Sequence, residues 1–239
     1  MPLAGEWLKN TTAFKTIMMV AAFAGVLAGL LLTLMQQIEV VPLILAAEAY
    51  EQPAGLPQPA GGVPAASDGE LGSWQPDPGW PRHVFTAAAN IVVALGFSLV
   101  MIAAITLRGA ALDWRRGVMW GLAGYAVFFA APSFGLPPEV PGTQAAHLLP
   151  RQLWWAATSL ATALGLAMIV FSRQRAINIL GGLVLLGPHL IGAPQPDVPG
   201  AAAPAELARA FIAATAITNA VFWLTLGGLL GYFHHKVTT

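Results

Sequence analysis

The sequence predicts an all-α polytopic membrane protein: six transmembrane helices arranged as three helical hairpins, with both termini in the cytoplasm. Three observations predict it. Six apolar runs are each about long enough to cross a bilayer, since roughly 20 residues at about 1.5 Å per residue span the hydrocarbon core. The connectors between them are rich in Pro and Gly or carry arginine. Basic residues are distributed unevenly between alternate connectors. A mean hydropathy of +0.67 and a charged fraction of 9% agree with lipid as the solvent.

Residues 1–16 read as a cytoplasmic interfacial lead-in, with Leu3, Trp7, Leu8 and Phe14 among polar residues. Residues 17–236 read as one six-helix domain. The first run, Ile17–Met35, is too long for a signal-peptide core and continues through Gln36, Gln37 and Glu39 to Pro42 or beyond. A Pro/Gly-rich extracytoplasmic loop follows over 50–81, and the second run is Val84–Leu107. The third, Val118–Leu136, and the fifth, Ile177–Ala193, are weaker and interrupted by prolines. The fourth, Leu153–Phe171, and the sixth, Phe211–Phe233, are clear. Trp74, Trp80, Trp114, Trp120, Trp154 and Trp155 fall at or near span ends, as interfacial aromatics do. Gly25/Gly29, Gly117/Gly121 and Gly227/Gly231 have the small-xxx-small spacing that lets helices approach closely.

Orientation follows from Lys and Arg in short connectors. With the N-terminus inside, Lys9, Lys15, Arg108, Arg115, Arg116, Arg173, Arg175 and Lys236 are cytoplasmic, and only Arg82, Arg151 and Arg209 lie outside. The outer side then collects Glu48, Glu51, Asp68, Glu70, Asp77, Glu139, Asp197 and Glu206, which would raise the local cation concentration. A weak internal repeat accompanies this topology. The third and fifth spans close on similar strings, Ala131–Gly142 and Gly187–Gly200; Pro42 sits comparably in the first, and each even span opens near an outer arginine.

Polar side chains within or beside the hydrocarbon are the candidate chemistry, because each is costly there unless paired or hydrated. Glu39 and His189 are the candidate metal ligands, with Gln36, Asn90, Asn219 and the outer-side Glu48 as supporting groups. Nitrogen and oxygen donors of this kind suit a weakly bound, partly hydrated divalent ion such as Co²⁺, Ni²⁺ or Zn²⁺. The competing reading makes Glu39 an interfacial residue and His189 packing glue between helices. His83, His147 and the pair His234-His235 read as boundary or surface histidines. The absence of cysteine removes thiolate chemistry. The chain carries no phosphate-binding Gly-x-x-x-x-Gly-Lys-Ser/Thr loop, no His-Glu-x-x-His, no Gly-x-Ser-x-Gly and no long basic segment. An ATPase, a metalloprotease, a serine hydrolase and a nucleic-acid partner are therefore not expected, and no resident cofactor is assigned beyond a transported Co²⁺.

An ordered set of strings carries a family resemblance. Val40-Val41-Pro42-Leu43-Ile44-Leu45-Ala46-Ala47-Glu48-Ala49-Tyr50-Glu51 closes the first helix, and Phe85-Thr86-Ala87-Ala88-Ala89-Asn90 opens the second. Arg115-Arg116-Gly117-Val118-Met119-Trp120-Gly121 leads into the third, followed by Gly135-Leu136-Pro137-Pro138-Glu139 and Arg151-Gln152-Leu153-Trp154-Trp155. Pro188-His189-Leu190-Ile191-Gly192-Ala193-Pro194 and Thr218-Asn219-Ala220-Val221-Phe222-Trp223 complete the set. From about Phe14 to Phe233 the chain resembles the CbtA family of predicted cobalt transporter subunits. The resemblance implies cobalt uptake at the inner membrane and a small single-span partner, CbtB, with a histidine-rich terminus. That family is usually described with fewer spans than six. The alternative expectation is a non-catalytic accessory subunit of a larger membrane complex, packing on its neighbours and binding lipid, quinone or pigment.

Overall fold

The computed structural model describes residues 3–51, 79–109 and 112–238, with side chains from 14 onward except the last residue of that range. Helices α1 (Leu3–Met35) and α2 (Val41–Glu51) are joined without a break by a π-helical turn, Gln36–Val40. Helix α3 is Trp80–Arg108. Helix α4 (Trp114–Tyr125) runs through a second π turn, Ala126–Ala130, into the short α5 (Ala131–Ser133). Helices α6 (Leu148–Phe171), α7 (Arg175–Ile191) and α8 (Ala205–Thr238) complete the chain. Among the described residues no strand occurs, only a single bridge between Thr143 and Ala201.

Four segments are long and apolar enough to cross a membrane: Phe14–Glu51, Trp80–Arg108, Leu148–Phe171 and Ala205–Val237. They contain the four clear runs of the sequence, and the first continues past Pro42 as expected. The two weaker runs are also helical but shorter or interrupted. Helix α7 has 17 residues, about 26 Å of rise, which falls just under the hydrocarbon thickness. The lead-in is continuous with α1 from Leu3; its side chains before Phe14, the loop acids Asp68, Glu70 and Asp77, and Trp74 lie outside the described residues.

Both π turns have the same local cause. Pro42 and Pro132 have no N–H to give to a carbonyl four residues back, and their rings crowd it. In each case the residue before the proline bonds one position further back, Val41 N–H to the Gln36 carbonyl and Ala131 N–H to the Ala126 carbonyl. Glycines end the helices where the backbone turns left-handed, at Gly109 (φ 67°) and Gly192 (φ 88°). At the start of α4, the Asp113 carboxylate accepts the Arg116 N–H (2.9 Å). That backbone hydrogen bond is the main cause holding the carboxyl below its usual range.

Helix α8 is the hub. It packs against α4 and α1 and also touches α2, α3 and both π turns, while α1 lies along α3 and α7 lies along α6. Helices close in the chain thus pair in α1 with α3 and α6 with α7, whereas α4 packs chiefly on the distant α8. Glycine decides these contacts. A Cβ on Gly25 or Gly29 would lie 2.9 and 2.7 Å from the Cα atoms of Leu95 and Ile91 on α3. Gly117 and Gly121 of α4 meet the backbone of Gly227 and Trp223 on α8, and Gly165 of α6 meets that of Gly181 on α7. Such backbone-to-backbone approach is how helices associate in lipid, where apolar transfer supplies little drive.

The interior combines small residues with large aliphatic ones such as Ile102, Leu226 and Leu230 and with one aromatic cluster. Ala21, Ala24, Ala28 and Ala94 are fully buried, while Val92, Leu160 and Ile179 point outward. Trp223 (2% exposed) stacks on Phe128 at 5.4 Å and packs against Phe97 at 4.7 Å. The Ser98 hydroxyl donates to the Ala21 carbonyl across the α1–α3 seam (2.8 Å). An outward-facing apolar surface with small side chains at the helix contacts is the pattern of a chain solvated by lipid.

Candidate functional site

Pro188 and His189 sit at the end of α7, where Pro188 is buried and His189 half-buried. The Trp154 indole N–H of α6 donates to the Pro188 carbonyl (3.3 Å) and fixes the ring beside the imidazole. His189 meets Trp154 edge-on at 5.9 Å between centroids and Phe134 perpendicularly at 6.3 Å. This clamp forms one wall of a groove of about 670 Å³ between the second π turn, α6 and α7. Ala126 and Ala130 from the π turn, Thr162 from α6 and Leu185 from α7 line its depth, and Gln195 lies at its rim.

The amides gather elsewhere. Asn90 of α3 donates to Gln36 Oε1 (2.7 Å) and lies 3.1 Å from Thr33 Oγ1, whose own hydroxyl donates to the Gly29 carbonyl (2.9 Å). Gln36 opens the first π turn, so this cluster ties the turn to α3. Glu39, three residues on, is exposed. It does not line the His189 groove, and its π turn touches α8 while α7 rests on α6. Of the two candidate ligands, only His189 lines this groove. Asn219 donates to the Thr215 carbonyl of its own helix (3.0 Å). Glu48 accepts from Arg82 (2.9 Å).

That last pair has counterparts. Arg151 pairs with Glu139 (2.7 Å) and Arg209 with Glu206 (3.6 Å). All three arginines read as lying outside thus face carboxylates. The Glu48–Arg82 bridge joins α2 to the opening of α3, and the Glu139–Arg151 bridge joins the segment after α5 to the opening of α6. The Arg209 bridge stays within α8. A second groove of about 440 Å³ lies beside Glu139 and Arg151.

Several polar groups escaped sequence reasoning. Thr158, Ser159 and Thr162 on α6 and Asn178 on α7 each bury an oxygen with no hydrogen-bond partner. Thr158 and Thr162 are four residues apart, and Trp154 four before Thr158, which places all three on one face. That spacing was the available signal. Among the described residues no cluster of three or more His, Cys, Asp or Glu is assembled.

A family model described as a probable cobalt transporter subunit (CbtA) matches residues 14–235, nearly the whole chain. The chain belongs to the CbtA family. The comparison with curated proteins gave no match, and neither did that with solved structures. Membership makes this a transporter subunit by family, and the four long apolar helices agree with a membrane location. The CbtA match begins at Phe14 and ends at His235, so both π turns, the His189 groove and the Glu–Arg bridges fall inside it.

Proposed function

We propose that this CbtA-family chain is a multi-pass inner-membrane subunit of a divalent-metal uptake system whose cargo is cobalt. The observation that carries the reading is the family match over 14–235, supported by the four long apolar helices. In this reading the chain crosses the bilayer six times as three hairpins with both termini inside. Pairing of the outer arginines supports that orientation, since it neutralises the positive charge assigned to the outside. Residues 1–16 form the cytoplasmic lead-in, 17–236 the membrane domain and 50–81 the outer loop.

His189 is the metal contact, being the one imidazole lining the groove. Glu39 on the first π turn and the Gln36–Asn90 cluster contact the ion at a separate station, with Asn219 and Glu48 in supporting roles. The chain works without an ATPase of its own and beside a small single-span CbtB-like partner. An inward dication gains about 4.6 kcal/mol per 100 mV of membrane potential, enough for substantial accumulation without ATP.

Radiolabelled cobalt accumulation at low external cobalt tests this in the native host, where any partner is present. Deletion of the gene is expected to abolish most uptake. The wild-type chain restores it, His189→Ala leaves it near the deletion level, and Glu39→Gln lowers it. Unchanged accumulation on deletion would remove the transport reading altogether.

A further inference from the structure

Of the three ion pairs on the side read as outer, Glu139–Arg151 alone lines either groove. It is also the least exposed, at 28% for each side chain. The groove beside it, of about 440 Å³, has the size of a small-molecule site and changes character along its length. On α6, Arg151 stands in the first turn and Trp155 one turn further in, about 6 Å along the axis. On the other wall, Phe128 and Phe129 of the second π turn give way through Leu136 to Glu139. Phe128 and Trp155 meet at 6.3 Å between centroids and close the aromatic end. Leu148 and Trp155 line the groove and are exposed, so it opens onto the apolar outer surface of the helices. Charge at the mouth and aromatic walls behind it, at the end of a membrane-long helix, follow the polarity of a lipid from headgroup to chain.

The ion pair adds a second, independent observation. One hydrogen bond joins it, from Arg151 Nη2 to Glu139 Oε2 (2.7 Å). Among the described residues neither side chain has another partner. A guanidinium has further N–H donors and a carboxylate further lone pairs, and in a half-enclosed place these favour an occupant that can meet them. The pair thus offers both signs of charge side by side. The N-terminus of α6, which has no side-chain cap, adds its positive end near Arg151.

We propose that this groove holds a phospholipid with a zwitterionic, primary-amine headgroup of the phosphatidylethanolamine kind. Its phosphate accepts from the spare N–H groups of Arg151, and its ammonium donates to Glu139. The upper part of one acyl chain lies against Phe128, Phe129 and Trp155. This chemistry selects among lipids. An anionic head sets a second negative charge beside Glu139 with no cation of its own to balance it. A choline head has no N–H to give the carboxylate. Such lipid binding does not depend on cobalt transport.

The test is native mass spectrometry of the full chain, purified in mild detergent with any partner it carries. The probes are dioleoyl phosphatidylethanolamine, phosphatidylcholine and phosphatidylglycerol. Wild type is expected to bind the ethanolamine lipid about tenfold more tightly than either of the others, the value of one charge-assisted hydrogen bond. The near-isosteric Glu139→Gln should bring the ethanolamine lipid down to the choline level; its unchanged binding of the choline lipid shows that it is folded. Arg151→Gln should weaken all three. Arg209→Gln, in the exposed pair that lines neither groove, should keep the preference and controls for net charge. Soluble phosphoethanolamine should not compete at equal concentration, because the aromatic walls hold a lipid chain and not a free headgroup. Equal affinity for the three lipids would mean annular contact only and overturns the proposal, as does a preference for the choline or glycerol lipid. A Glu139→Gln protein that keeps the ethanolamine preference, an Arg209→Gln protein that loses it, or competition by phosphoethanolamine would overturn it too.

Discussion

Replacing Gly227 by alanine is expected to loosen α4 from α8 and lower stability by about 3 kcal/mol, the upper range for overpacking a tight contact. The added methyl would press on the Gly117 carbonyl and come within 2.7 and 2.9 Å of Gly121 N and Cα. These are backbone atoms, so no side chain can swing aside. Gly182→Ala is the matched control, because a Cβ there meets nothing within 4 Å; its effect should stay within about 1 kcal/mol. Thermal unfolding of the purified protein in detergent, followed by tryptophan fluorescence, reads both. Equal midpoints for the two variants would mean that the α4–α8 seam is not held by backbone contact.

Trp223→Ala is expected to cost a similar amount, about 3 kcal/mol, at the lower end of the range for deleting a buried aromatic. The lower end applies because helices that separate in a bilayer are re-solvated by lipid, so the loss is packing rather than transfer. Trp223 stacks nearly parallel on Phe128, with 5° between planes, and touches Phe97 and the bare face of Gly124. Its removal takes contacts from α3, α4 and the second π turn together. Trp223→Phe should recover part of the loss. Limited proteolysis of the two variants gives a second readout. A Trp223→Ala protein as resistant as wild type would show that the aromatic cluster is dispensable.

Both expectations concern contacts that were only half written in the sequence. Apolar length is a local property, so the four long helices could be read directly, and so could the extension of the first through Gln36 and Glu39. The glycine spacings were visible too. Their partners were not, because Gly117 and Gly227 are 110 positions apart and nothing local links them. Chain order points to neighbours, which holds for α6 and α7, but α4 packs chiefly on α8.

The candidate site divides along the same line. Gln36 and Asn90 do meet, as two costly amides in adjacent helices tend to. Glu39 and His189 lie on helices with different main partners, and of the two only His189 lines the groove. Thr162 was passed over because a threonine in a helix ordinarily satisfies its hydroxyl on a carbonyl one turn back. Thr33, Thr86 and Thr106 do so, and the four-residue spacing of Trp154, Thr158 and Thr162 is what sets Thr162 apart from them.

The two π turns bear on how this chain can change in length. A residue removed from an ordinary helix rotates everything beyond it by about 100°, since 3.6 residues complete a turn. In α1 that would swing the face carrying Gly25 and Gly29 out of phase with α3. A π turn already holds one surplus residue as a local bulge. Deletion within Gln36–Val40 or Ala126–Ala130 can therefore be absorbed as a return to regular pitch, leaving the phase of both flanks intact. Within each of these two helices, residue number and helical phase are uncoupled at one point, next to the proline that made the bulge necessary.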